Sequence, residues 1–414
     1  MRSHENRNNF YNLYYDTEKN IITYENGDIL SCDEYAEELN KDYKTKGMSV
    51  RIVMGKKCNF NCVYCSQHPF RKEIEKPWKY TPEELAEQII KFTKPHGGLK
   101  NIQYWGGETL LYFNEIKRFQ KYFTEHTTNE IRYGIVTNGS LLKGEIFKWI
   151  LDNDIHITVS YDGPGQHLRG IDIFEDREIV ENLKILKDRY KDRKLGLALS
   201  PVMSVYNPSH VEYIEYVKNK LGIDDFVLSE AVPIIVNDER MREFAIATEE
   251  FPKNSKDLYQ QFIQSKIPQY AYMQYLIRDF LKNLGNPIPI DRSRCFLTDK
   301  DVLPVDTSGN IQVCQNICSD GIHESGDPYK YGNIFEDIEI PEPSITALRQ
   351  RRTTRCKDCL VVSVCKGGCP YLTKEYLEYN CTSNFHHCTA AFAAAISIIT
   401  KDTVAGYEPI NVEN

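Results

Sequence analysis

The chain has 414 residues, of which 41% are hydrophobic and 27% are charged, and these proportions exclude an intrinsically disordered chain. Its formal net charge of −8, from 51 basic and 59 acidic residues, excludes a broad attraction to phosphate backbones, so we expect no nucleic acid partner. The sequence contains 13 cysteines, most of them in two groups with short spacings. Such spacings are typical of metal binding.

The two ends of the sequence predict where the protein works. The N-terminal segment MRSHENRNNFYNLYYDTEKN has no apolar run behind its positive charges, so no secretory signal is expected. The most apolar stretch, AAFAAAISIIT, is about half as long as a membrane span requires. We therefore expect a cytoplasmic protein with no membrane partner. Thiols stay reduced in that compartment, which favours metal ligation over a disulfide framework.

The predicted elements alternate between strands and helices from residue 48 to about residue 230. They are preceded by a hairpin at 21–30 and a helix at 33–42. The strand candidates are residues 48–54, 101–105, 131–137, 155–161, 195–200 and 225–230. The clearest helix begins at Thr81, where a capping box with Glu84 and the following Pro82 mark the first turn. The other helix candidates cover 113–126, 143–152, 176–190, 209–220, two segments within 238–284, and 389–402.

This order predicts an α/β fold with a parallel sheet and right-handed crossovers. A partial (β/α)6 barrel of the TIM type and an open doubly wound sheet both fit six such units. In either fold the chemistry gathers at the carboxyl ends of the strands. Four polar motifs each follow a predicted strand, namely CNFNCVYC (58–65), GGE (106–108), TNG (137–139) and SYDGP (160–164).

The first cysteine group offers three thiols from one loop, Cys58, Cys62 and Cys65. A structural zinc site needs four ligands, and the nearest histidine is His68, outside the spacing pattern. A four-iron cluster held by three thiolates keeps one iron open for an exogenous ligand. On spacing alone, zinc and buried structural cysteines remain alternatives.

The spacing and its surroundings resemble the radical S-adenosylmethionine (SAM) enzymes. In that family the cysteine loop follows the first strand of a partial barrel, and SAM binds the open iron of a 4Fe–4S cluster. The resemblance implies that Tyr64 lies near the adenine, that Gly106 and Gly107 allow close backbone approach, and that Glu108 accepts a hydrogen bond from the SAM ammonium. It further implies contacts to the ribose and carboxylate of SAM from Asn138, Ser160, Asp162 and Arg169, although the spacing before Arg169 is shorter than in relatives.

The second cysteine group resembles the SPASM domain, a C-terminal extension of radical SAM enzymes that modify peptides and proteins. The pattern is Cys295, then Gly309-x4-Cys314, then Cys356-x2-Cys359-x5-Cys365-x3-Cys369, then Cys388. In relatives this domain holds two auxiliary 4Fe–4S clusters, so the resemblance implies three clusters in total. A ferredoxin-like electron-transfer protein is disfavoured, because the gap before Cys365 is five residues where a ferredoxin has two.

The resemblance also implies which cysteines hold each auxiliary cluster. The outer cluster would take Cys356, Cys359, Cys365 and Cys388. The inner cluster would take Cys295, Cys314 and Cys369, with Cys318 as its fourth ligand or an open iron that binds a substrate sulfur. Cys381 and Cys32 match nothing in the pattern and are expected to be bystanders. The basic run 349–357 would stabilise a negatively charged cluster beside it.

The resemblance covers about residues 48–390 and implies a division of the chain. We expect an N-terminal extension at 1–47, too short for a complete leader-recognition domain, and the radical SAM partial barrel at 48–235. A helical linker at 236–289, the SPASM domain at 290–390, and a C-terminal helix and tail at 391–414 would follow.

The implied reaction begins with an electron from a low-potential donor of the flavodoxin or ferredoxin type. SAM is then cleaved to a deoxyadenosyl radical, which abstracts hydrogen from the substrate. We expect the substrate to be a ribosomally made precursor peptide that receives a thioether or carbon–carbon crosslink. A truncated element or a separate leader-binding protein would recognise its leader.

Three alternatives stay open at this point. An anaerobic sulfatase-maturing enzyme, which forms formylglycine, usually has a carboxylate directly after the cysteine corresponding to Cys314, where this chain has Gln315. A non-catalytic iron–sulfur or zinc scaffold would bind metal without reaction. A tRNA-modifying enzyme is disfavoured by the acidic balance of the chain.

Overall fold

The computed structural model describes residues 12–32, 47–67, 77–190, 197–223, 226–265, 270–289, 293, 295, 301–317, 319, 321–336 and 346–402. The helix expected at 33–42 and the possible ligand Cys318 lie outside these ranges. Within them, no helix is long and apolar enough to cross a bilayer.

Thirteen strands are present in the described ranges. They are β1 (Leu13–Asp16), β2 (Ile21–Tyr24), β3 (Met48–Val53), β4 (Leu99–Trp105), β5 (Arg132–Thr137), β6 (His156–Val159), β7 (Ala198–Leu199), β8 (Val202–Met203), β9 (Val227–Leu228), β10 (Val232–Pro233), β11 (Val302–Asp306), β12 (Asn310–Gln312) and β13 (Lys330–Asn333). The α-helices of the same ranges are α1 (Pro82–Thr93), α2 (Phe113–His126), α3 (Gly144–Asp152), α4 (Arg177–Tyr190), α5 (His210–Leu221), α6 (Phe251–Ile263), α7 (Ala271–Asn283), α8 (Thr346–Thr353), α9 (Val362–Cys365) and α10 (Leu377–Thr400).

The central sheet has the order β13-β12-β11-β3-β4-β5-β6-β7-β9. Every pair from β11 through β3 to β9 is parallel, and the hairpins β11–β12 and β12–β13 are antiparallel. The predicted α/β fold with a parallel sheet is therefore confirmed. The C-terminal region adds its own strands to the edge of this sheet at β3.

Local sequence explains the helix that begins the barrel. The capping box at the start of α1 is formed as predicted, since the Glu84 N–H donates to Thr81 Oγ1 at 3.2 Å and the Thr81 N–H donates to Glu84 Oε2 at 2.8 Å. Leu85 and Ile89, one turn apart, are fully buried on its inner face. The helix thus buries the apolar residues that its periodicity predicts.

Two boundaries differ from the predictions. The helix expected at 389–402 begins at Leu377, because its first turns bury polar residues that hide the apolar period. Asn380, for example, is 2% exposed and pairs with Val236, accepting from its N–H at 3.0 Å and donating to its carbonyl oxygen at 2.6 Å. Near the N-terminus the regular strand pair is β1 and β2, and the hairpin expected at 21–30 is limited to one antiparallel bridge between Thr23 and Ile29, where the Leu30 N–H donates to Ile22 O at 2.8 Å.

Candidate functional site

The first cysteine loop leaves the carboxyl end of β3. Cys62 is 7% exposed, and burial raises the pKa of its thiol to about 11, with Cys58 and Cys65 near enough to raise it further. The Phe60 N–H points at Cys58 Sγ, 3.4 Å away. The structure therefore brings the three predicted thiols close together.

Glycines of the GGE motif allow the β4 end to approach this loop. Gly106 adopts φ +149°, and a Cβ atom at Gly107 would lie 2.1 Å from the carbonyl oxygen of Lys57. In this close contact the Gly107 N–H donates to Gly55 O at 2.9 Å, and the Glu108 N–H donates to Lys57 O at 2.7 Å. The motif therefore fixes the segment that leads into Cys58.

The Glu108 carboxylate is completely buried and accepts hydrogen bonds from other residues of the protein. Its Oε1 accepts from the Thr137 hydroxyl at 2.6 Å and the Leu110 N–H at 3.0 Å, and its Oε2 accepts from the Asn138 N–H at 2.7 Å. Burial raises the pKa of Glu108, and these donors oppose that shift. Glu108 thus joins the ends of β4 and β5, while its contact to a SAM ammonium stays a prediction.

Asn138 connects the end of β5 to the cysteine loop. Its Nδ2 donates to Asn59 Oδ1 at 2.8 Å, and its Oδ1 accepts from the Ser140 hydroxyl at 2.6 Å. Asn59 in turn donates to Ser140 Oγ at 2.8 Å. Ser160 reaches the same edge of the sheet, since its N–H donates to Thr137 O at 2.8 Å and it is half-buried.

Tyr64, Asp162 and Arg169 form one buried polar group. Arg169 Nη1 donates to Tyr64 Oη at 2.9 Å and to Asp162 Oδ1 at 3.3 Å, and the Tyr64 hydroxyl donates to Asp162 Oδ2. The Val202 N–H also donates to Asp162 Oδ1, at 2.9 Å. Burial raises the pKa of the Asp162 carboxyl, which Arg169 opposes, and burial raises the pKa of Tyr64. The predicted residue Arg169 thus lies near Cys62, the second cysteine of the loop, despite its shortened spacing.

One donor of this group has no acceptor among the residues that the structure describes. Within those ranges Arg169 Nε is buried without a hydrogen-bond partner. Buried polar groups are nearly always paired, and a carboxylate is the acceptor that suits a guanidinium best. The site therefore fits a ligand with a carboxylate, as SAM has.

The inner cysteines of the C-terminal region meet near the barrel edge. Burial raises the pKa of Cys314 to about 12, with contributions from Cys295 and Cys369. The Asn316 N–H lies 3.4 Å from Cys314 Sγ, and Asn316 Oδ1 accepts from Trp105 Nε1 at 3.1 Å. These contacts connect the loop after β12 to the end of β4.

The outer cysteines surround a cavity with about 450 Å3 free of protein atoms, part of it open to solvent. Cys356, Cys359 and Cys365 line it, and their role as cluster ligands stays a prediction; the fourth cysteine on its wall is Cys381, which the sequence pattern leaves as a bystander. Cys388 lies instead in the hydrophobic core and is completely buried. The cause is helix geometry, because both residues belong to α10 and only its first turns reach the cavity.

Two arginines of the basic run, Arg351 and Arg355, line this cavity. The sequence pattern singles out neither of them within the run. Arg351 donates to the carbonyl oxygens of Pro370 at 3.2 Å and Leu372 at 2.9 Å. Arg355 Nε donates to Cys381 Sγ at 3.2 Å. The run itself was the available signal, but only the fold shows which arginines turn inward.

Across the described ranges, no group of three or more His, Cys, Asp or Glu side chains is arranged to hold a metal ion. The thiolates of a four-iron cluster each bind a different iron, so they do not converge on one point.

Comparisons with known proteins assign part of this chain to a family. Residues 52–245 match the radical SAM superfamily. The chain is 26% identical over 191 residues to the radical SAM cyclopropyl synthase TigE of Paramaledivibacter caminithermalis, covering 42% of this chain and 40% of that relative. It is 22% identical over 379 residues to the cysteine-type anaerobic sulfatase-maturating enzyme of Clostridium perfringens, covering 82% of this chain and 95% of that relative.

A solved structure is similar over most of the fold. The structure of native anSMEcpe with bound AdoMet and Cp18Cys peptide matches with a TM-score of 0.61 at 19% identity, over 85% of this chain and 99% of that chain. The likeness of fold thus continues beyond the matched family domain. Reactions of this superfamily use a 4Fe–4S cluster and SAM. The chain therefore carries a radical SAM domain over residues 52–245.

Proposed function

We propose that this protein is a radical SAM maturase that installs a thioether or carbon–carbon crosslink in a ribosomally made precursor peptide. The proposal starts from the radical SAM domain and from the three groups of cysteines that the fold brings together. The peptide bound in the similar anSMEcpe structure supports a peptide substrate.

The residues of the first site would each have a defined task. Cys58, Cys62 and Cys65 would hold the cluster, and Arg169 Nε would bind the carboxylate of SAM. Asp162 keeps the guanidinium in position through the bond at 3.3 Å. When bound, the cluster and SAM would supply a carbon-centred radical that abstracts hydrogen from the substrate. An electron donor of low potential, a flavodoxin or a ferredoxin, would complete the system.

Gln315 is the observation that favours peptide crosslinking over formylglycine formation. Its Oε1 lies 4.0 Å from Cys314 Sγ, beside the inner auxiliary site. An amide cannot accept a proton at neutral pH, whereas a carboxylate at this position could act as a general base. A crosslinking reaction that uses the substrate's own nucleophile needs no such base from Gln315.

Formylglycine formation remains the second candidate function. It is favoured by the extent of the match to the Clostridium perfringens sulfatase-maturating enzyme, 82% of this chain and 95% of that relative. The two functions differ in their products, since a crosslinked peptide has lost two hydrogen atoms per crosslink and formylglycine carries a reactive aldehyde.

The test uses full-length protein loaded with iron and sulfide without oxygen. It is mixed with SAM, dithionite and either a precursor peptide encoded beside its gene or a sulfatase-type peptide. We expect deoxyadenosine and a loss of two hydrogen atoms per crosslink in the precursor peptide only. A triple variant, Cys58→Ala, Cys62→Ala and Cys65→Ala, is the control and should form neither product. Aldehyde in the sulfatase-type peptide, with the precursor peptide unchanged, would replace the first proposal by the second.

The same preparation separates the enzyme from a non-catalytic scaffold. Three four-iron clusters correspond to roughly twelve irons and as many sulfides per chain. Zinc without sulfide, and no cleavage of SAM, would instead identify a scaffold.

A further inference from the structure

The cavity in the C-terminal region has a cysteine at each of four places on its wall. Cys356 and Cys359 belong to the loop after α8, Cys365 ends α9, and Cys381 lies in the second turn of α10. Cys381 is close enough to both Cys356 and Cys359 to interact with them electrostatically. Four thiols around one cavity match the ligand number of a 4Fe–4S cluster.

Cys388 is separated from this cavity by the geometry of α10. It follows Cys381 by seven residues, which places both on the same face of the helix but about 10 Å apart along its axis. Cys388 is 0% exposed and belongs to the core with Ala391 and Ala395, where α10 packs against α6 and α7. The sulfurs of Cys381 and Cys388 cannot occupy the same position at one iron of the cluster unless the helix shifts by two turns.

A positive charge is directed at the Cys381 sulfur. Arg355 Nε donates to Cys381 Sγ at 3.2 Å, and Arg355 Nη2 lies 2.8 Å from Glu378 Oε2, one turn earlier on α10. The guanidinium is thus oriented by a carboxylate and turned towards the thiol. A thiolate is the form that binds iron and accepts such a bond best.

We infer that Cys381, and not Cys388, is the fourth ligand of the outer auxiliary cluster, and that Arg355 donates a hydrogen bond to its ligating sulfur. The inference rests on the proposed function only in taking the cluster to be a 4Fe–4S centre. Each thiol releases its proton to solvent when it binds iron. Hydrogen bonds and positive charge at a ligating sulfur favour the reduced cluster, so Arg355 raises the reduction potential.

The ligand is tested in full-length protein that lacks the first cluster through Cys58→Ala, Cys62→Ala and Cys65→Ala, which leaves only auxiliary clusters. Iron and sulfide counts and electron paramagnetic resonance are compared for added Cys381→Ala and Cys388→Ala. We expect Cys381→Ala to lose about four irons, or to form a three-iron cluster on mild oxidation, because one iron has lost its thiolate. Cys388→Ala should retain every iron and an unchanged spectrum.

The reverse result, with Cys381→Ala unchanged and Cys388→Ala altered, overturns the inference. Since Cys388 is a core residue, Cys388→Val and Cys388→Ser are measured beside it, with circular dichroism to identify folded variants. Retention of the cluster by any folded Cys388 variant supports the inference, and loss by every folded one overturns it. These counts need no peptide and no SAM cleavage, so they stand or fall separately from the crosslinking activity.

The hydrogen bond is tested by redox titration of Arg355→Met. Arg349, an exposed arginine of α8, provides the matched control, because Arg349→Met removes the same charge from the same basic run. We expect the auxiliary potential to fall in Arg355→Met and to stay near that of the parent in Arg349→Met. Equal reduction potentials in the two variants would show that Arg355 does not donate a hydrogen bond to a cluster ligand.

Discussion

Replacing Gly107 by alanine should disturb the first cluster site more than any neighbouring glycine change. The added Cβ would lie 2.1 Å from Lys57 O and 2.7 Å from Lys56 O. Both atoms belong to the backbone, so no side-chain rotation can relieve the contact. The segment 55–57 would have to move away from the GGE motif.

The cost follows from what that movement breaks. Overpacking costs about 1–3 kcal/mol, and the two hydrogen bonds from Gly107 and Glu108 to Gly55 and Lys57 contribute about 1 kcal/mol each. We therefore expect a loss of about 3–5 kcal/mol in the free energy of unfolding, or an equivalent loss of order in the loop that carries Cys58.

The assay compares Gly107→Ala with Gly134→Ala in loaded, full-length protein. Gly134 lies in β5, and a Cβ there would meet its nearest atom, His156 O, at 3.8 Å, which is ordinary contact. The control should change the free energy of unfolding by no more than about 0.5 kcal/mol. Denaturant midpoints and SAM affinity are measured for both. If both variants unfold at the same denaturant midpoint and bind SAM with equal affinity, the close approach of the GGE motif to the backbone of residues 55–57 is incorrect.

Three further predictions concern buried polar groups. Glu108→Gln should lower the free energy of unfolding by about 2 kcal/mol and weaken SAM binding, because the new amide N–H2 faces an N–H or O–H donor. Denaturant unfolding measures the loss, and an unchanged midpoint contradicts the prediction. Burial lowers the pKa of His210 from 6.5 to about 4, so the unfolded chain binds its proton first as pH falls. Stability contributed by neutral His210 should therefore fall by about 1 kcal/mol from pH 7.5 to pH 5.5, and His210→Gln should flatten that slope. Arg351→Met should lower the free energy of unfolding by about 3 kcal/mol, because buried carbonyl oxygens lose their charged donor. The control Arg349→Met should change the free energy of unfolding little in the same assay.

The sequence predicts the barrel half of the fold well because its signals are local. Apolar runs, the capping box at Thr81 and polar motifs after strands depend on neighbouring residues. The motif predicts a SAM contact for Arg169, but its place beside Tyr64 and Asp162 depends on how the 3-10 turn after β6 folds back.

The choice between Cys381 and Cys388 shows that cysteine spacing does not determine which residue reaches the cavity. The spacing pattern depends only on the number of residues between cysteines, and Cys388 matches that number. Which cysteine reaches the cavity depends on where α10 begins and on the packing of α10 against α6 and α7. Both are tertiary properties, and polar residues such as Asn380 conceal the start of the helix.

The pairing of β11 with β3 makes the C-terminal region part of the barrel's own sheet. Five residues of β11, Val302 to Asp306, pair in parallel register with Ser49 to Val53. A chain cut between α7 and β11 would leave one side of β3 without backbone partners, next to buried Val50 and Ile52. Such an edge invites pairing with other chains. The boundary that a family comparison draws near residue 245 is therefore no place to divide this protein, and expression of the barrel alone should yield aggregates.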